Sequence, residues 1–117
     1  MATGRDYPRS LRVNEVLRQV VAEELERLAD ADERLRLLTV TSVTTSPDLR
    51  TATVYLGTLD PEAAEALEER RSQVQRAVGR QVRMKRTPRL HFEADPAVSA
   101  GARVEEILRR LGRRPAE

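Results

Sequence analysis

Residues 37–56 read LLTVTSVTTSPDLRTATVYL. Two runs rich in Val and Thr flank Ser46-Pro47-Asp48. β-Branched side chains suit a pleated, half-buried surface. Pro fixes φ, and an Asp side chain bonds the backbone just ahead of it. The pattern predicts a strand over Leu37–Thr45, a tight turn, and a return strand over Thr51–Leu56. In the return strand Ala52, Val54 and Leu56 share one face, and Thr51, Thr53 and Tyr55 the other. Adjacent strands joined by so short a turn form an antiparallel hairpin. A lone hairpin is at best marginal in water, so the flanking sequence has to cover its apolar face.

Upstream, Val13, Val16, Leu17, Val20, Val21, Leu25 and Leu28 recur at three- and four-residue steps. That is the stripe of an amphipathic helix of about five turns. Ser10 suits its N-cap, residues 1–9 read as a flexible arm, and ADADE at 29–33 ends it in polar turn residues. Downstream, Asp60-Pro61 is a helix start, with Asp as N-cap and Pro at the first helical position. Ala63, Ala64, Ala66 and Leu67 form its buried side, while Glu62 and Glu65 sit near its positive end.

A second stripe of Val74, Ala77, Val78 and Val82 shares the phase of the first. One straight helix through both would carry Arg70 and Arg71 into the apolar stripe, where unpaired guanidiniums cost several kcal/mol. Either the two snorkel past its edge or the helix bends at Arg70–Ser72. A bend frees both, and the spacing is read as two helices with a tight joint. Thr87-Pro88 stops the second one. Arg89–Glu93 then alternates as a third strand with Leu90 and Phe92 inward. Val104, Ile107, Leu108 and Leu111 mark a short C-terminal helix with Ser99 as its cap, and 112–117 read as a frayed tail.

The order is helix, strand, strand, helix, helix, strand, helix. Helices grouped on one face of three strands make an α+β domain, and 117 residues suit a single one, spanning 10–111. The chain has no cysteine, which excludes disulfides and zinc–thiolate sites. No apolar run approaches the roughly 18 residues of a membrane span, and MATGRDYPRS lacks a signal-peptide core. A cytoplasmic protein without a membrane partner is the expectation.

Charge is sorted along the chain. Asp60–Glu69 holds five acids, yet Arg70–Phe92 holds eight cations and no acid, although the net charge is only +2. The cations are Arg70, Arg71, Arg76, Arg80, Arg83, Lys85, Arg86 and Arg89. Phosphate contacts dominate nucleic-acid affinity, so dense cation without acid is the pattern of a polyanion-binding face. At about 100° per residue, Arg76, Arg80 and Arg83 fall together opposite Val74 and Val78. The plainer alternative is a solvated surface in an arginine-rich protein, since 20 of the 21 basic residues are Arg. Only Tyr7, Tyr55 and Phe92 are aromatic, which disfavours base stacking and favours phosphate and shape recognition.

Catalysis finds no support. His91 is the only histidine and has no Cys or second His for a metal site of usual spacing. GxxxxGK[ST] is absent, so no P-loop cradles a phosphate, and no GxxG forms an ordinary KH loop. The expectation is a protein without metal, cofactor or small-molecule substrate.

With this layout assembled, the chain resembles the ribosome-binding factor A family of bacterial small-subunit assembly factors. Arg9-Ser10-Leu11-Arg12-Val13 is similar to the family's R-x-x-R-V start, and Asp32-Glu33-Arg34-Leu35 to its D-P-R-L. The hairpin from Val40 through Leu49, then Ala52-Thr53-Val54-Tyr55, resembles V-x-x-V-x-x-S-x-D-L followed by A-x-V-Y. Val82 to Phe92 is similar to the passage L-R-x-x-P-x-L-x-F. Asp95 with Gly101-Ala102-Arg103 matches D-x(5)-G-x-R. The order and spacing of these pieces cover residues 9–108.

The resemblance implies a single KH-like domain of type II, αββααβ, with a kinked helix–helix joint replacing the GxxG loop and a short helix after it. The family's Ala-x-Gly joint aligns with Arg70-Arg71-Ser72 here, so Arg replaces Ala and Ser replaces Gly. It also implies a non-enzymatic, monomeric factor that binds free 30S subunits, assists late maturation and processing of 16S rRNA, and supports growth in the cold. With the charge pattern, the candidate rRNA-binding residues are then Arg70, Arg71, Ser72, Arg76, Arg80, Arg83, Lys85, Arg86 and Arg89. The alternative is a sequence-tolerant RNA- or DNA-binding module without ribosomal specificity.

Overall fold

The computed structural model describes residues 2–113. Helix α1 spans Ala2–Ala29 and a 3-10 turn spans Glu33–Leu35. Strands β1 (Val40–Thr45) and β2 (Thr51–Leu56) precede helix α2 (Pro61–Gln81), strand β3 (Arg89–Ala94) and helix α3 (Pro96–Arg113). The strands lie in the order β1-β2-β3. β1 and β2 pair antiparallel as the hairpin, whereas β3 lies parallel to β2 with Ala52 beside Leu90 and Val54 beside Phe92. A parallel neighbour needs a long crossover, and α2 supplies it. The result is an α+β domain of KH-like fold, with α1 and α2 packed on one face of the sheet.

Most of the core is the predicted one, although Val16 of the α1 stripe is 43% exposed and Val13 and Ala64 are only half-buried. Leu17, Val21 and Leu25 of α1 and Leu67, Val74 and Val78 of α2 meet Val54, Leu56 and Leu90 of the sheet, all of them buried. Val40 and Val43 are both buried although three residues apart, and strict alternation would put them on opposite faces. The register shift between Val40 and Ser42 resolves this, because an extra residue rotates the strand and returns Val40 to the core side. The hairpin turn closes as the sequence suggested. Asp48 Oδ1 accepts from Ser46 Oγ at 2.7 Å and from the Arg50 N–H at 3.1 Å. Leu49 takes the left-handed conformation at φ 59.

Several boundaries differ from the sequence reading. α1 starts at Ala2 rather than Ser10, so Ser10 is not its cap and residues 2–9 are helical rather than an arm. β1 begins at Val40 rather than Leu37. Asp32 caps the 3-10 turn by accepting from the Arg34 N–H. The turn sends Leu35 into the core at 2% exposure and leaves Leu37 outside. α3 begins at Pro96, where Asp95 Oδ1 accepts from the Ala97 N–H at 2.9 Å, so Asp95 and not Ser99 occupies the capping position. Arg113 ends the helix, and the tail 114–117 lies outside the described residues.

Candidate nucleic-acid interface

α2 opens as read from the sequence, with Asp60 Oδ1 accepting from the Ala63 N–H at 2.7 Å and Pro61 at the first position. It then continues unbroken through Arg70–Ser72, where two helices were expected. The reason is electrostatic. Burial of unpaired guanidiniums would have forced a joint, but both arginines have partners. Arg70 Nε donates to Asp32 Oδ2 at 3.0 Å and its Nη1 to Gln73 Oε1 at 3.0 Å. Arg71 donates to Glu68 Oε2, and its Nε is buried without a partner, so this side chain lies against the protein rather than projecting from it.

Asp32 is the hub of that region. It is 7% exposed and also receives Arg34 Nη2 at 2.7 Å, while Arg34 reaches Glu69 Oε1 at 2.9 Å. Arg34, then Arg70, hold the Asp32 carboxyl far below the usual carboxylate range, and Arg34 likewise lowers Glu69. Asp32 and Glu69 raise the Arg34 guanidinium in return. Arg70 is thereby held by a buried carboxylate, whereas among the described residues Arg71 pairs only with the exposed Glu68.

The remaining cations behave otherwise. Arg76, Arg80, Arg83, Lys85, Arg86 and Arg89 are all exposed. Among the described residues, none of the six has a carboxylate within ion-pair distance. Arg76 and Arg80 stand one turn apart on α2, with Ser72 exposed a turn earlier on the same helix.

Arg83 does not complete that helical ridge. α2 ends at Gln81, six residues before the expected stop at Thr87-Pro88. The Val82 N–H closes the last turn on Val78 O at 2.9 Å, and Val82 is then extended at φ −109, ψ 122. Val82 and Met84 turn toward the core and pack on it. These two apolar residues anchor the segment, and Arg83, Lys85 and Arg86 are exposed along it.

That segment is tied at its far end by Gln75. Its Nε2 donates to Pro88 O at 2.5 Å and its Oε1 accepts from the Leu90 N–H at 3.1 Å. Gly79 permits the close approach of Thr87, whose Oγ1 would lie 3.2 Å from a Cβ at that position. The hairpin turn joins the same surface, because the Arg89 N–H donates to Arg50 O at 2.8 Å. Arg50 is exposed and adds a cation that the sequence reading passed over. Its only signal was a basic residue closing the turn, and its proximity to residues 83–86 arises from the parallel pairing of β3.

Between turn and segment lies a cleft of about 560 Å³ lined by Val13, residues 48–50 and residues 83–86. His91 is exposed on β3, on the sheet face away from the core. Among the described residues no group of three or more His, Cys, Asp or Glu is placed to hold a metal ion, and no helix is long and apolar enough to cross a membrane.

The comparisons with known proteins agree with this architecture. The family described as ribosome-binding factor A matches residues 9–108. The ribosome-binding factor A of Rubrobacter xylanophilus is 43% identical over 108 residues, covering 88% of this chain and 87% of that protein. That of Halorhodospira halophila is 39% identical over 120 residues, covering 97% and 94%. The crystal structure of ribosome-binding factor A from Thermus thermophilus superposes with a TM-score of 0.66 at 34% identity, covering 73% of this chain and 93% of that one. A homology model of the Thermus thermophilus factor, fitted into an electron cryo-microscopy map of a 30S complex, gives 0.60 at 36% identity over 71% and 91%. Sequence and backbone lead to one family, and the chain belongs to it: ribosome-binding factor A.

Proposed function

We propose that this protein is a non-enzymatic assembly factor that binds free 30S subunits through 16S rRNA and assists late maturation and processing of that rRNA. One observation carries the reading: six exposed cations without acid partners, from Arg76 on α2 through the 82–88 segment to Arg89 at the start of β3. The fitted 30S complex of a relative supports the choice of partner. Arg76 and Arg80 contact rRNA phosphates from the helix, Arg83, Lys85 and Arg86 from the segment, and Arg89 from the strand, with Ser72 at the margin. Arg70 and Arg71 act chiefly in the fold, through Asp32 and Glu68.

Phosphate and shape recognition dominate because the surface presents arginine in place of aromatic rings. The protein acts in the cytoplasm as a monomer, holds an immature rRNA conformation, and leaves before the subunits join. Its contribution is greatest in the cold, where misfolded rRNA escapes slowly.

Sedimentation tests this directly. The protein is expected to co-migrate with free small subunits, to be absent from translating ribosomes, and to dissociate steeply as salt rises. Reversing Arg76, Arg80 and Arg83 to Glu together abolishes co-migration. Unchanged binding by that variant overturns the interface, and equal binding to unrelated RNA and DNA favours a sequence-tolerant module instead.

A further inference from the structure

The cleft between the hairpin turn and the 82–88 segment is more than a stretch of charged surface. Val13, Leu49 and Met84 give it an apolar lining, and Arg50, Arg83, Lys85 and Arg86 add the cations. Its volume of about 560 Å³ lies within the roughly 300–1,000 Å³ of small-ligand sites. Leu49 is an exposed leucine held at φ 59, a conformation that disfavours any residue with a Cβ. The turn thus keeps an apolar side chain beside the cations where glycine would fit the backbone better.

We infer that this cleft takes one unstacked nucleotide of single-stranded RNA, its base against Leu49, Met84 and Val13 and its phosphates on Arg83, Lys85 and Arg86. The inference rests on the RNA-binding reading above and deepens it. Charge complementarity selects the occupant, since an apolar pocket walled by four cations matches a flat base on a polyanionic backbone. Asp48 also lines the cleft and keeps its negative charge, which the Arg50 guanidinium 3.8 Å away offsets, so Arg83, Lys85 and Arg86 supply the net positive charge that meets the phosphates.

The test uses the full chain, fluorescence anisotropy, and two strands of equal length and charge: oligouridine, whose bases stack poorly on one another, and an abasic ribose–phosphate strand. The parent is expected to prefer oligouridine by on the order of tenfold, the scale of burying part of one base. Leu49→Gly and Leu49→Asn both suit the left-handed backbone, and each removes the apolar side chain. Each is expected to erase that preference while leaving abasic-strand affinity unchanged. Equal parental affinity for the two strands, with steep salt dependence, overturns the nucleotide site and leaves the phosphate-binding reading standing. Binding of neither strand overturns both. Self-association of the parent that Leu49→Gly abolishes shows a second copy in the cleft, and that too overturns it.

Discussion

Arg70 Nε donates to Asp32 Oδ2 at 3.0 Å, joining the middle of α2 to the turn that follows α1. Asp32 is 7% exposed and serves Arg34 as well. Asp32→Asn removes the charge that both guanidiniums face while keeping an oxygen to cap the 3-10 turn. Thermal unfolding is expected to show a fall in Tm on the order of 5 °C.

The same pair sets an acid limit. Arg34 and Arg70 depress the folded-state pKa of Asp32, and Arg34 depresses that of Glu69. Near the ordinary carboxylate value of roughly 4, the unfolded chain therefore binds more protons than the folded one. The stability these groups contribute is complete above that pH and declines as pH falls through it toward the folded values. Denaturant melts from pH 7 down to pH 3 are expected to show that decline, and Asp32→Asn is expected to make it shallower.

Arg70 and Arg80 separate fold from interface. Arg80→Gln is expected to leave Tm unchanged and to reduce the slope of log affinity against log salt by about one. Arg70→Gln is expected to lower Tm and leave the slope unchanged. A reversal of these two outcomes in parallel melting and salt titrations would show that the ion pair with Asp32 opens on binding.

Gln75 holds Pro88 O and the Leu90 N–H with one side chain. Gln75→Ala leaves both backbone groups unpaired beside a fully buried Leu90, with an expected loss of about 1–3 kcal/mol in denaturant unfolding. Limited proteolysis is expected to cut the variant first within residues 82–88.

Leu49 at φ 59 yields an ordered series. β-Branched residues tolerate the left-handed region least, so Leu49→Val is expected to lower stability by on the order of 1 kcal/mol. Leu49→Gly releases the strain at the expense of a partly exposed side chain and is expected to stay close to the parent. Chemical denaturation of the three proteins ranks them.

Local physics made much of this fold readable. Asp60-Pro61 starts α2 because capping and a fixed φ act within one turn, and Ser46-Pro47-Asp48 closes the hairpin for the same reason. The valine and leucine stripes located the core because periodicity survives any tertiary arrangement. Failures came where a distant residue decided the outcome. Arg70 needs no bend because Asp32, 38 residues earlier, neutralises it. α2 stops at Gln81, where Val82 turns extended and, with Met84, packs on the core well before Pro88. Arg50 joins residues 83–86 only through the parallel pairing of β3, which no local pattern announces. The exposed cations were legible as charge, whereas their freedom from acid partners required the structure.

The parallel pairing also orders events in time. β1 and β2 can zip as soon as their turn forms, but β3 must wait until all of α2 has crossed the sheet. Contacts that close such long loops form late and slowly. The segment bearing Arg83, Lys85 and Arg86 is strung between the end of α2 and β3, so it is shaped only when that last strand docks. Leu90 enters the hydrophobic interior in that same step, so the core and the cationic surface are completed together.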